Sequence, residues 1–80
     1  MDAAEVTRLV QAALPEAQVS VDGAGSHYDI TVVSDVFADM RPVKKQQTVY
    51  AALSAQITAG AIHAVNIRTF TRDEWAACSG

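Results

Sequence analysis

The sequence predicts a small α+β domain in which helices cover one face of a three-stranded mixed sheet, in the order α-β-β-α-β-α. The chain has 80 residues, half of them hydrophobic, which suits a single globular domain over residues 1–80. Segments with helical apolar spacing alternate with short segments rich in β-branched and aromatic residues. A glycine-containing loop separates the first two predicted strands, whereas a helix separates the second from the third. We therefore expect a hairpin, followed by a right-handed crossover between parallel strands.

The first predicted helix has recognisable signals at both ends. Asp2 and Glu5 have the spacing of a capping box, which satisfies backbone N–H groups at a helix start. An apolar stripe follows at helical spacing and consists of Val6, Leu9, Val10, Ala13 and Leu14. Pro15 disfavours helical backbone at the preceding residue, so the helix should end at Leu14.

Two strands should follow, joined by a short loop. Residues 17–21 suit a short first strand, and residues 22–26 (Asp-Gly-Ala-Gly-Ser) have the composition of a turn or loop. From Tyr28 to Ser34, β-branched and aromatic residues dominate, and apolar positions alternate with polar ones at the start. This alternation predicts a second strand that is half buried.

The second half of the chain predicts a helix, a third strand and a short last helix. After a connection over residues 35–41, Pro42 suits the first position of a helix that continues to Ala59, and Gly60 is a typical helix stop. Residues 62–70 predict the third strand. The apolar face of the middle helix should comprise Val43, Val49, Tyr50, Leu53 and Ile57.

A second capping-box pattern over residues 71–74 opens the last helix, which carries Trp75. We expect residues 77–80 to form a frayed tail. The aromatic side chains expected in the core or at its edge are Phe37, Tyr50, Phe70 and Trp75.

Composition excludes several classes of protein. The net charge of −3 makes the chain as a whole a poor nucleic-acid binder. No apolar run is long enough to cross a bilayer, no secretory leader opens residues 1–14, and Cys78 is the only cysteine, so we expect a cytoplasmic protein without membrane contact. There is no paired-carboxylate motif, nucleophile elbow or phosphate-binding glycine loop, and we do not expect an enzyme.

The two histidines of the chain should meet at one end of the sheet. His27 immediately precedes the second predicted strand, and His63 is the second residue of the third. Parallel strands begin at the same end of a sheet, so the two imidazoles should be neighbours. The glycine-containing loop next to His27 should give its side chain freedom to adjust. Neutral imidazole binds iron, zinc or copper, but two ligands do not complete a structural zinc site. A site shared with a partner that supplies thiolates fits two nitrogen ligands better.

A simpler interpretation exists for either histidine alone. His63 shares strand parity with Val65 and Ile67, so it could be a partly buried histidine with a hydrogen bond and no ligand.

A basic cluster lies at the start of the middle helix. Arg41, Lys44 and Lys45 are three of the six basic residues, and a helix start with nearby cations attracts phosphate. However, the preceding connection has no glycine and so lacks the GXXG loop with which KH domains grip nucleic acid. Asp39 also opposes phosphate. We therefore favour a solvated helix start or a protein-docking surface over DNA recognition.

Three blocks in this order and spacing resemble the BolA family, and above all its bacterial IbaG-like branch. The blocks are HYDITVVSDVF at residues 27–37, VKKQQTVYAAL at 43–53 and GAIHAVNIRTFTRDEW at 60–75. The resemblance implies a KH-like fold of the second topological type. The chain departs from the family where Asp39 replaces a frequent glycine and where Pro42 replaces a nearby basic residue, which weakens phosphate contact.

The resemblance also implies a function. BolA-like proteins bind a [2Fe–2S] cluster together with a monothiol glutaredoxin, whose thiolate and bound glutathione supply sulfur ligands. The BolA chain supplies the histidine of the GxIH segment, here His63, and a hairpin-loop residue, here His27, which is a cysteine in another branch. The expected function is thus that of an adaptor in iron–sulfur metabolism or stress regulation. A homodimer of the lone chain is a further possibility. The alternative that the family offers is a KH-like DNA-binding transcriptional regulator.

Overall fold

The computed structural model of the protein describes residues 1–79, which form four α-helices, three strands and one 3₁₀ helix. In chain order these are α1 (Ala3–Ala13), β1 (Gln18–Ala24), β2 (His27–Val33), the 3₁₀ helix (Asp35–Asp39), α2 (Pro42–Ala52), α3 (Ser54–Thr58), β3 (Ala64–Phe70) and α4 (Arg72–Ser79). This order confirms the predicted α+β fold class.

The three strands form one mixed sheet in the order β1-β2-β3. Strand β1 pairs antiparallel with β2, and this hairpin closes where Ala24 lies opposite His27. Strand β3 pairs parallel with β2, with His27 opposite Ala64 at one end and Val33 opposite Phe70 at the other. The predicted hairpin and parallel crossover are both confirmed.

The core lies between the sheet and the helices on one of its faces. The side chains that fill it most completely are fully or almost fully buried, namely Val6, Val10, Ile30, Val32, Phe37, Val49 and Leu53. Helix α1 begins as predicted, because the Asp2 carboxylate accepts a hydrogen bond of 2.9 Å from the Glu5 N–H. The opposite face of the sheet carries polar residues, and Asp29 there accepts a 2.8 Å hydrogen bond from the Asn66 amide.

The middle helix differs from the prediction. It ends at Ala52, and Leu53 (φ −112°, ψ 4°) separates it from the short helix α3. The Leu53 side chain is fully buried. Only part of the expected apolar face is covered: Val43 is 68% exposed and Tyr50 is 46% exposed. Tyr50 is therefore not a core aromatic, whereas Phe37 is.

The last strand and helix also have different bounds from those predicted. Strand β3 begins at Ala64, so His63 precedes the strand and is not part of it. Residues 77–79, expected in a frayed tail, continue helix α4, and Gly80 lies outside the described residues. The ring centroids of Phe70 and Trp75 lie 5.2 Å apart, which places the helix against the end of β3.

Candidate histidine site

The β1–β2 hairpin presents His27 at the start of β2. Only Gly25 and Ser26 separate the paired residues Ala24 and His27. Gly25 has a φ of 68°, a left-handed conformation that suits glycine. The sequence predicted that the glycine-containing loop next to His27 gives its side chain freedom to adjust. The structure places the His27 backbone in the strand ladder, and its side chain is exposed.

Gly23 has a steric reason to be glycine. A Cβ atom at this position would overlap the backbone carbonyl oxygen of His27, and φ is 125°, outside the range of most L-residues. The missing side chain lets β1 approach β2 closely beside the histidine. Gly23 was predicted only as a loop residue, because the close approach depends on strand pairing that a local pattern does not reveal.

The backbone carbonyl of Ser26 joins the two histidine segments. It accepts hydrogen bonds from the N–H of His63 at 2.8 Å and from the N–H of Ala64 at 3.1 Å. His27 itself lies opposite Ala64 in the parallel ladder. His27 and Ala64 are therefore neighbours across strands that lie about 4.8 Å apart, and His63 immediately precedes Ala64. The structure thus brings together the pair that the sequence predicted.

Both imidazoles are exposed, and neither side chain has a hydrogen bond or ion pair with any of residues 1–79. The interpretation of His63 as a partly buried, hydrogen-bonded histidine is wrong, since the strand parity on which it depended does not extend to a residue outside β3. Exposed imidazoles without internal partners keep their ring nitrogens available to an external ligand.

The histidines do not form a complete metal site alone. Among residues 1–79 no group of three or more His, Cys, Asp or Glu side chains could hold a metal ion. Cys78 is exposed in α4, beyond the other end of β3 from His63. A strand of seven residues spans about 20 Å at ~3.3 Å per residue, so Cys78 is not a third ligand of this site. Two neighbouring nitrogen donors fit a cluster whose remaining ligands come from another molecule.

A cleft of about 340 Å³ opens beside His63. Its lining is Tyr50, Ile57, Ile62, His63, Ala64, Val65 and Asn66. The exposed Tyr50 ring therefore belongs to the surface next to the histidine site.

The basic cluster lies at the opposite end of the sheet. Arg41 is the N-cap of α2, and Lys44 and Lys45 follow in its first turns. Arg41 and Lys44 are exposed, whereas Lys45 is half-buried and lies near Glu74, which follows the end of β3. The structure therefore does not bring this cluster to the histidines. No helix within residues 1–79 is long and apolar enough to cross a membrane.

The pKa of Glu74 lies below its ordinary value of 4.5. The largest cause is a hydrogen bond from the Thr71 N–H, at 2.8 Å from the carboxylate. The Thr71 hydroxyl adds to this effect, burial opposes it slightly, and the positive charge of Lys45 lowers the pKa further. Lys45 is half-buried, which leaves Arg41 and Lys44 as the more accessible cations.

Known proteins support the family that the blocks suggested. Residues 5–74 match the family described as BolA-like protein. The acid stress protein IbaG of Escherichia coli K12 is 42% identical over 76 residues, which cover 95% of this chain and 90% of IbaG. The DNA-binding transcriptional regulator BolA of Vibrio cholerae is 43% identical over 53 residues, which cover 66% of this chain and 49% of that protein.

Solved structures agree with this assignment. A bolA protein homologue from Coxiella burnetii superposes with a TM-score of 0.83 at 26% identity, over 95% of this chain and 97% of that one. The chain belongs to the BolA-like family.

Proposed function

We propose that this protein is an adaptor of iron–sulfur metabolism that binds a [2Fe–2S] cluster jointly with a monothiol glutaredoxin. One observation carries the proposal: His27 and His63 are exposed, without internal partners, and held side by side through the Ser26 carbonyl. A regulatory role in stress responses is consistent with the name of the Escherichia coli relative, acid stress protein IbaG. An adaptor of this kind needs no catalytic group of its own.

The chemistry of the donor set supports a shared cluster. The two imidazoles would supply nitrogen to one iron, while thiolates of the glutaredoxin and its glutathione would supply sulfur to the other. Histidine ligands at one iron raise the reduction potential of a [2Fe–2S] cluster relative to cysteine ligands. The ligand form of histidine is neutral imidazole, so acidification should weaken the binding. A cytoplasmic location is part of the proposal, because reducing conditions keep the thiolate ligands available.

Co-expression with a monothiol glutaredoxin tests the proposal directly. We expect the two proteins to purify together as a coloured complex with the visible absorbance and circular dichroism of a [2Fe–2S] cluster. A variant with both His27→Ala and His63→Ala should lose the colour. The matched control is Cys78→Ser, which removes the only thiol of the chain and should leave the spectrum unchanged. A coloured complex of the double histidine variant would contradict the proposal.

A second candidate function is nucleic-acid binding. Its support is the exposed pair Arg41 and Lys44 at the start of α2, together with the name of the Vibrio cholerae relative. The net charge of −3 and the carboxylate of Asp39 oppose it. Few phosphates can be neutralised, so duplex DNA binding should be weak, with a shallow salt dependence of roughly −0.9 per phosphate contacted.

Gel shifts over a range of salt concentrations separate the two candidates. The informative variant replaces Arg41, Lys44 and Lys45 with alanine. Tight, sequence-selective binding by the unaltered protein at physiological salt would favour the regulator. If the triple variant binds DNA like the unaltered protein but no longer captures glutaredoxin, the basic cluster is a docking surface. Size-exclusion chromatography of the lone chain tests whether it also forms a homodimer.

A further inference from the structure

We infer that Tyr28 is a positioning residue for the histidine pair. Its hydroxyl fixes the hairpin turn, and the turn sets the position of His27 relative to His63. The inference rests on the proposed function, since it concerns how the same site is held. Tyr28 follows His27 directly, and its side chain enters the core, where it is only 2% exposed. Adjacent residues of a strand point to opposite faces, so the Tyr28 ring supports the hairpin from below while His27 stays in solvent.

The hydroxyl of Tyr28 reaches back to the turn. Its oxygen lies 2.8 Å from the carbonyl oxygen of Gly25 and 2.9 Å from that of Met1. A phenol has one hydrogen to donate, so the two carbonyls share a single donor. Tyr28 thereby ties the hairpin turn to the segment that leads into α1.

A short chain of contacts connects this hydroxyl to both imidazoles. Gly25, which accepts from Tyr28, is followed by Ser26, whose carbonyl receives the N–H groups of His63 and Ala64. His27 is the next residue after Ser26. A shift of the turn would therefore displace His27, which follows it directly in the chain. It would also displace the Ser26 carbonyl, which accepts the hydrogen bond from the His63 N–H.

A purely structural role would explain the same hydrogen bonds differently. Buried polar groups are almost always hydrogen-bonded. On this view the Tyr28 hydroxyl bonds to the two carbonyls only because a buried hydroxyl needs a hydrogen-bond partner. The two roles differ in what a Tyr28→Phe variant would do. Phenylalanine keeps the ring in the core but leaves the turn without its donor, so a positioning role predicts a change at the histidines that is out of proportion to the loss of stability.

Copper(II) is a suitable probe, because it binds imidazole and reports nitrogen ligands in its electron paramagnetic resonance spectrum. The lone chain would be titrated with Cu²⁺ and compared with Tyr28→Phe, His27→Ala and His63→Ala. We expect Tyr28→Phe to bind about tenfold more weakly, at the low end of the range for residues that orient metal ligands. We also expect its nitrogen hyperfine pattern to shift towards that of the single histidine variants.

The matched control is Ser34→Ala. Ser34 is a fully buried hydroxyl residue directly after the other end of β2, so its loss perturbs the same strand without touching the turn. This variant should be less stable yet bind Cu²⁺ with unaltered affinity and spectrum. Circular dichroism would establish that every variant is folded under the titration conditions.

A second variant tests the turn if Tyr28→Phe does not fold. A Cβ atom at Gly25 meets no atom within 4 Å, so Gly25→Ala changes only the preferred backbone conformation of the turn. It should weaken Cu²⁺ binding and alter the spectrum in the same direction.

The possible results separate the two proposals. A folded Tyr28→Phe protein with unaltered affinity and spectrum would overturn the positioning role and leave the histidine site intact; if that variant is unfolded, unaltered binding by Gly25→Ala does the same. If neither His27→Ala nor His63→Ala changes Cu²⁺ binding, the histidine pair itself is excluded as a joint ligand, and the proposed function falls with it.

Discussion

Strand β2 begins at His27 and ends at Val33, and the polar groups at these two ends are used in opposite ways. At the Val33 end, the Ser34 hydroxyl donates to the Glu16 carboxylate at 3.0 Å and accepts from the Val36 N–H at 3.2 Å. The Asp35 carboxylate there accepts a 3.1 Å hydrogen bond from the first N–H of α4. At the His27 end, the backbone is held by hydrogen bonds, but the imidazoles bond to nothing within residues 1–79.

The two capping boxes show the same difference. In the box at α1, which lies near the hairpin through the contact of Met1 with Tyr28, Asp2 caps the Glu5 N–H, and the Glu5 carboxylate accepts no hydrogen bond. In the box at α4, Thr71 and Glu74 cap each other reciprocally. One end of the sheet thus uses its polar side chains for hydrogen bonds within the fold, while the other leaves two imidazoles exposed and without partners among residues 1–79. This contrast predicts that substitutions at the two ends will have separable consequences.

His63→Ala should give the largest effect. Losing a ligand from a shared cluster should abolish most of the visible absorbance of the glutaredoxin complex, since cluster properties follow ligand identity. His27→Ala should have a similar or smaller effect, and His27→Cys should keep a cluster with an altered spectrum, because thiolate is also a cluster ligand. The measurement is visible absorbance and circular dichroism of the co-purified complexes.

Ser34→Ala is the control from the other end of β2, and its complex should keep the full spectrum. An unaltered spectrum with His63→Ala would show that the exposed, unbonded imidazole of His63 is not needed for cluster binding. The difference between the two ends of β2 would then not explain where a cluster binds. Complete indifference to substitution at position 27 would place the second ligand elsewhere.

Gly23→Ala should give the next largest effect, on stability as well as on the site. The added Cβ atom would meet the backbone carbonyl of His27, which cannot move aside as a flexible side chain can. We expect a loss of about 3 kcal/mol in the free energy of unfolding, the upper part of the range for strained backbone positions. Urea unfolding measures it.

The matched control is Gly60→Ala. Gly60 also has a positive φ, 81°, but a Cβ atom there meets nothing within 4 Å, so its cost should be about 1 kcal/mol, that of the left-handed conformation alone. Equal losses of unfolding free energy for the two substitutions would mean that the His27 carbonyl leaves enough room for a Cβ atom at position 23.

The sequence predicted those features of the fold that depend on local patterns. The Asp2 and Thr71 helix starts, the hairpin, the parallel crossover and the proximity of the two histidines all follow from capping motifs, alternation and strand order. The break at Leu53 did not follow, because the local sequence favours helix on both sides of this buried residue. Tertiary packing routinely overrides helix propensity in this way.

The supporting residues of the site could not be predicted for a related reason. The sequence predicts Tyr28 as an aromatic residue of a strand, and its neighbours do not indicate a contact with the turn. It predicts Gly23 as a loop residue, and its neighbours do not indicate a close approach to the His27 carbonyl. Both roles depend on which residues the pairing places opposite each other, and register is fixed by the whole sheet. The one available signal was the closeness of two glycines to a histidine, which we interpreted as flexibility.

Ser34→Ala should destabilise the protein moderately and leave the histidine end unchanged. The substitution removes the hydroxyl that caps the Val36 N–H, and loss of such a cap costs about 1 kcal/mol. Thermal or urea unfolding of the lone chain measures the loss. Amide chemical shifts of Ser26, His27 and His63 should stay at their original values. Shifts at those residues would mean that the two ends of β2 are coupled.

The smallest effect should come from Glu74→Gln and should depend on pH. The pKa of Glu74 is lowered in the folded protein, chiefly by the Thr71 N–H, so its carboxylate stabilises the fold fully above the ordinary value of 4.5. That contribution is lost as pH falls through the lowered pKa. The urea midpoint of the unaltered protein should therefore fall more steeply below pH 4.5 than that of the variant. The comparison variant is Glu5→Gln, at the equivalent position of the α1 box, where the glutamate carboxylate accepts no hydrogen bond from residues 1–79. The two glutamine variants could instead change the fall of the urea midpoint below pH 4.5 by equal amounts. In that case the reciprocal cap at α4 stabilises the fold no more than any other carboxylate in the first turn of a helix.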